Sequence, residues 1–226
     1  MRIKTYKLII LALALFVTLV VPKARANSTT SREYEIKAAF LYNFIKFTDW
    51  PKEKMGDVNE PIVIGIIGKD PFGDAIDVIR DEQVKGRKLV IRWFKSFEES
   101  KESNGKDKPS VHKEIEAIRK CHLLFFSSSE KKKTIGEIMK ALESSHVLTV
   151  GDMNGFLETG GVINLITEDK KVRFEINISA AERAGLKFRS QLLRLAKRVI
   201  REDTPKDDKR HSSARQITGK PIMSFL

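Results

Sequence analysis

The sequence predicts an α/β domain, a mainly parallel sheet with helices on both faces that closes in a β-hairpin. Three observations carry this. Short β-branched runs bounded by turn residues recur at PIVIGIIG (61–68), RKLVIRWF (87–94), HLLFFS (122–127) and HVLTVGD (146–152). Helix-compatible segments separate them, and strands that alternate with helices favour parallel pairing. The pattern then changes: GVINLIT (161–167) and KVRFEIN (171–177) are joined only by Glu168-Asp169-Lys170, a hairpin signal.

The chain opens with a positive segment (Arg2, Lys4, Lys7), an apolar run from Leu8 to Val21, Pro22, and the small-x-small pattern Ala24-Arg25-Ala26. This is the pattern of a cleaved export signal over residues 1–26, because the run is short for a membrane span. Five basic and no acidic residues lie in it, so the formal charge of +12 falls to +7 for residues 27–226. A chain of that length supports one domain, expected over 27–201. The remaining charge is interleaved with Glu and Asp, and no basic-aromatic platform for nucleic acid is visible.

EYEIKAAFLYNFIKFTDWP (33–51) reads as a helix stopped at Trp50-Pro51. From Ala38 to Ile45 only Asn43 is polar, so the helix needs cover on most sides. That cover is either a second copy or partner, docking on Phe40, Tyr42, Phe44, Phe47 and Trp50, or the hairpin and last helix of the same chain. Lys37 and Asn43 either reach water or have buried partners.

After the first strand comes the turn GKDPFG, then a short helix from Asp74 to Arg80. Residues 97–110 are charged and aperiodic, a surface loop. His112 to Lys120 is helix-compatible. Ser129 is the expected N-cap of a helix carrying Ile135, Ile138, Met139 and Leu142 at helical spacing. On the second hairpin strand Val172, Phe174 and Ile176 share one face. Ser179 and Glu182 have capping-box spacing. A last helix is expected to carry Leu192, Leu195, Ala196 and Val199 on one stripe, and from Glu202 the chain reads as a polar, disordered tail over 202–226.

No catalytic residue, metal set or cofactor is expected. His112, His122, His146 and His211 lack metal-ligand spacing. Ser127-Ser128-Ser129 stands at a strand end without the G-x-S-x-G that a hydrolase would show. Cys121, the single cysteine, reads as a small buried residue at a strand start. Its alternative is an intermolecular disulfide or redox-sensitive thiol. A small-molecule site is the better expectation, at carboxyl ends of the strands, where open α/β sheets bind ligands. Its candidates are Asp70, Pro71, Phe72 and Gly73 in the first turn, and Asp152, Gly160 and Gly161 in the Gly-rich loop. The architecture is Rossmann-like but lacks a nucleotide fingerprint.

The opening helix, IGIIGKDPFG, and the long segment LTVGDMNGFLETGGVINLITEDKKVRFEINISAAERAGLKFRSQLLRLA resemble the YfiR family, also called DUF4154, from about Tyr34 to about Ala196. The resemblance implies a three-layer α/β/α sandwich, a homodimer, and a periplasmic, non-enzymatic regulator. Its implied partner is the periplasmic domain of an inner-membrane diguanylate cyclase, repressed so that cyclic-di-GMP and biofilm formation stay low. A sensor kinase or an outer-membrane receptor is the alternative, with a small-molecule ligand. Relatives with further cysteines form disulfides; Cys121 stands alone here.

Overall fold

The computed structural model describes residues 29–96 and 108–201. The expected signal (1–26), most of the charged loop and the tail (202–226) lie outside the described residues. The elements run α1 (Thr29–Phe47), β1 (Thr48–Asp49), α2 (Lys52–Met55), β2 (Ile62–Ile67), a 3-10 helix (Gly73–Ile79), β3 (Gln83–Val84) and β4 (Arg87–Phe94). Then come α3 (Lys108–Arg119), β5 (Leu123–Phe126), α4 (Lys132–Ala141), β6 (Leu148–Gly151) and a second 3-10 turn (Leu157–Thr159). β7 (Ile163–Glu168), β8 (Lys171–Asn177), α5 (Ile178–Arg183), β9 (Lys187–Phe188), α6 (Ser190–Leu195) and β10 (Arg198–Ile200) complete the domain.

The main sheet has the order β10-β8-β7-β6-β5-β2-β4-β3. The β4-β2-β5-β6-β7 stretch is parallel throughout, and the β7–β8 hairpin and the β3–β4 pair are antiparallel. β2, β5 and β6 are buried along their whole length, as continuous apolar runs require when both faces are covered. Two apolar cores result. Leu123, Phe125, Leu148, Val150, Ile163 and Phe174 join α1, the first 3-10 helix and α6 on one face. Leu124 and Phe126 join α3, α4 and Phe156 on the other. The fold is a three-layer α/β/α sandwich, Rossmann-like and without a nucleotide fingerprint.

The last predicted helix is corrected. It ends at Leu195, Ala196 is extended (ψ 136°), and residues 198–200 form a parallel edge strand beside β8. The hairpin leaves the outer edge of β8 unpaired, and this segment pairs it. The Lys197 N–H donates to the Phe174 carbonyl, and the Arg198 guanidinium grips both Glu175 oxygens at 2.8 Å. Non-local backbone pairing thus overrides a helical stripe.

The caps also differ from expectation. Lys131, not Ser129, stands at the N-cap position of α4 and its side chain makes no capping hydrogen bond, and Asn177, not Ser179, caps α5, its side chain accepting from the Ala180 N–H at 2.9 Å. The segment expected as a short helix from Asp74 is a 3-10 helix, packed under α1.

Candidate functional site

α1 explains how the carboxyl end of the sheet is built. Leu41, Phe44 and Ile45 are fully buried, and Phe44 meets Phe174 at 5.0 Å between ring centres. Trp50 is 8 % exposed. The cover comes from the first 3-10 helix, β8, α6 and β3 of the same chain. Phe40, Tyr42 and Phe47 are half-buried and Ile36 is exposed, so the expected aromatic surface splits: Phe44 and Trp50 belong to the core, and Phe40, Tyr42 and Phe47 form a rim. Asn43 donates to the Ala39 carbonyl of its own helix.

Lys37 has one buried partner, Asp152, and one part-exposed partner, Glu33. Its ammonium lies 2.8 Å from Glu33 and 3.1 Å from Asp152, and 4.4 Å from the centre of the Tyr34 ring. The Tyr34 hydroxyl donates to the same Asp152 oxygen at 3.1 Å. Glu33 accepts from Thr167 of β7 at 2.8 Å. Burial pulls the Lys37 ammonium down, but Glu33 and Asp152 more than offset this and hold it above its ordinary value. For Asp152 burial wins: it pushes the carboxyl up, and Lys37, Tyr34 and the Ser128 backbone recover only part. Both values move up, which favours the charged form of Lys37 and disfavours that of Asp152, because Lys37 faces two carboxylates, whereas Asp152, 2 % exposed in its side chain, has a single cation and keeps Oδ1 without a partner.

Tyr34 also joins the two loops that the sequence offered as one ligand site. Its ring packs edge-on against Phe72 at 5.3 Å, and Phe72 packs on Phe125 at 4.9 Å. Phe72 is therefore a core residue. Asp70 accepts from the Phe72 N–H at 2.9 Å, fixing the turn, and the exposed Gly73 takes a φ of 50°. Pro71 is half-buried between them. Gly161 is buried under Phe156, while Gly160 faces a separate cleft of about 530 Å3 between α4 and α5. The structure thus brings Asp70–Gly73 near Asp152 through Tyr34 and places Gly160 and Gly161 elsewhere.

The open space at this end is a cleft of about 710 Å3, lined by Gly68, Lys69, Asp70, Trp93, Lys95 and Ser129 among others. Gly68 has a φ of 91°, and a Cβ there would lie 2.8 Å from Ser129 Oγ. The Lys69 N–H donates to that hydroxyl at 3.0 Å. Trp93 is 45 % exposed and Arg80 stands 5.9 Å over its ring. Sequence reasoning missed Trp93 because strand order is not written in a sequence: only the β2–β4 pairing brings Trp93 beside Gly68. Among the described residues no cluster of His, Cys, Asp and Glu has the geometry to hold a metal, and no helix is long and apolar enough to cross a membrane.

The fold and this site define a Rossmann-like α/β/α domain with a polar, aromatic cleft at the carboxyl ends of its strands. The chain belongs to the YfiR/HmsC-like family (DUF4154), whose model matches residues 34–197. No curated protein matches the chain. Among solved structures it is similar to the ABC domain in complex with L-Trp from Streptococcus pneumonia (12 % identity, TM-score 0.42, covering 62 % of this chain and 55 % of that one). It is also similar to a conserved domain protein from Vibrio cholerae (17 %, TM-score 0.38, covering 61 % and 54 %). The chain spans about half the length of these two structures.

Proposed function

We propose that the protein is a periplasmic, non-enzymatic regulator of the YfiR type. It binds the periplasmic sensor domain of an inner-membrane diguanylate cyclase and represses it, lowering cyclic-di-GMP. The observation that carries this reading is the family match over residues 34–197, which runs from within α1 through α6 and leaves only the edge strand β10 beyond it. The rim of α1, with Ile36 exposed and Phe40, Tyr42 and Phe47 half-buried, supplies apolar surface for a partner or a second copy. The test is a pull-down from solubilised inner membranes with residues 27–226 as bait, paired with cyclic-di-GMP measurement in a deletion strain. Recovery of a cyclase and a raised cyclic-di-GMP level are expected. An unchanged level with no cyclase recovered would remove the cyclase version.

A second reading is a small-molecule-binding module working with a sensor kinase or an outer-membrane receptor. The cleft beside Trp93 favours it, since ligand sites combine an aromatic wall with a few polar groups. A thermal-shift screen with envelope metabolites tests it, because a ligand well above its Kd raises the melting temperature.

A further inference from the structure

The sheet keeps an open margin beside β4. That strand pairs with β2 from Leu89 to Phe94, but on its other side β3 covers only the start. Val84 and Gln83 pair with Arg87 and Lys88, and the Leu89 N–H donates to the Glu82 carbonyl at 3.0 Å. Past that point the backbone groups of successive residues alternate in direction. The Phe94 carbonyl accepts from the Gly68 N–H on the β2 side, so Ile91 and Trp93 turn their N–H and C=O outward. Among the described residues no backbone group meets them there.

This edge is weakly guarded. Exposed edges are normally blunted by Pro, a bulge or several charges. Val90-Ile91-Arg92-Trp93 has one charge and no Pro, and Trp93 is 45 % exposed. The side chains alternate between the two faces of the sheet. Leu89 and Ile91 pack toward α1, with Arg80 over Trp93 on the same face, whereas Phe94 packs toward α3. Arg92 shares the α3 face, is exposed, and is held by no ion pair among the described residues. A second copy fits the edge poorly. Antiparallel self-pairing that sets Ile91 opposite Trp93 also sets Arg92 opposite Arg92, and like charges directly across destabilise.

We infer that the β4 edge binds an extended segment of a protein partner, added as a further antiparallel strand, with a carboxylate opposite Arg92 and apolar residues opposite Ile91 and Trp93. Main-chain bonds give such strand addition its affinity, and alternate side chains give its specificity. The edge is continuous with the α1 rim, because the Tyr42 hydroxyl donates to the Gln83 carbonyl of β3 at 3.3 Å. A partner seated on the rim therefore has the edge within reach. The source of the segment rests on the regulator reading above; the edge itself is tested without a cyclase, so the two fail separately.

The experiment is an NMR titration of the isotope-labelled protein, residues 27–226, with two capped peptides, Thr-Val-Glu-Val-Thr and Thr-Val-Lys-Val-Thr. In the free protein the Ile91 and Trp93 amides should exchange rapidly with solvent. The glutamate peptide should shift both signals saturably, with a Kd below about 1 mM, and slow their exchange. It should bind about threefold or more tighter than the lysine peptide, since opposite rather than like charges then stand directly across from Arg92. Arg92→Glu, which alters an exposed side chain, should reverse that preference while the melting temperature stays put. No saturation by the glutamate peptide, equal affinity for the two peptides, or an unreversed preference in the variant would each overturn the inference. So would Ile91 and Trp93 amides already protected in the free protein; sedimentation as a dimer would then assign the edge to a second copy.

Discussion

Replacing Lys37 with methionine should cost the protein about 3 kcal/mol at neutral pH. The figure follows from the burial of the cluster. Removing one partner of a buried ion pair costs about 3–5 kcal/mol, because the other charge is left without compensation. Here the stranded group is Asp152, 2 % exposed in its side chain, still touched by the Tyr34 hydroxyl. The lower end applies because Asp152 already sits above its ordinary pKa and escapes in part by protonating, and Glu33 keeps water and Thr167. For a domain of this size a loss of that order lowers Tm by about 6–12 °C. Urea unfolding followed by tryptophan fluorescence reads it, since Trp50 is buried and gains exposure on unfolding. The sign in pH follows from the raised Lys37 value: its stabilisation is present at neutral pH and is lost only as pH rises through the folded value, above 10.5. Asp152→Leu and the double variant close the cycle, and the coupling should reach about 2 kcal/mol, because replacing both charges removes the stranded one. A cost below about 1 kcal/mol for Lys37→Met, with coupling near zero, would refute the view that this pair anchors α1.

Phe44→Ala should cost about 3–5 kcal/mol and Phe47→Ala clearly less, because the first empties a fully buried site and the second trims a rim; denaturant melts of both compare them directly. Gly68→Ala should cost about 1–3 kcal/mol by thermal melting, since φ of 91° is strained for any side chain and the new Cβ meets Ser129 and Glu130. Glu175→Gln should lose about 1 kcal/mol at pH 7 through its paired bonds to Arg198. Arg198 holds that carboxyl below its ordinary value of 4.5, so the stabilisation is present above that pH and vanishes as pH falls through the folded value, and melts from pH 7 to 3 should show the variant converging on the parent. The Cys121 thiol, fully buried and pushed up to about 11 by burial, should react with a thiol reagent only after denaturant is added.

Local chemistry was legible where one segment decides its own state. The β-branched runs became strands because their residues fit a sheet covered on both faces, and the Glu168-Asp169-Lys170 connection formed its hairpin because Asp169 and Lys170 adopt positive φ in the turn. The GKDPFG turn was readable for the same reason, Asp70 bonding two residues along its own chain. The helical stripe at Leu195–Val199 misled because a free strand edge lies elsewhere in the chain and nothing local announces it.

The candidate site shows the same division. By itself the sequence determined the class of the domain, its turns, and a family resemblance carried by residues 34 to 196. Only the tertiary structure decided that Phe44 and Trp50 face inward, that Lys37 finds Asp152 across 115 positions, and that Trp93 and Lys69 share a cleft. Periodicity reports whether a residue faces a core. Which core, and which charge waits there, depends on strand order, and strand order is set by pairings between segments far apart in the chain.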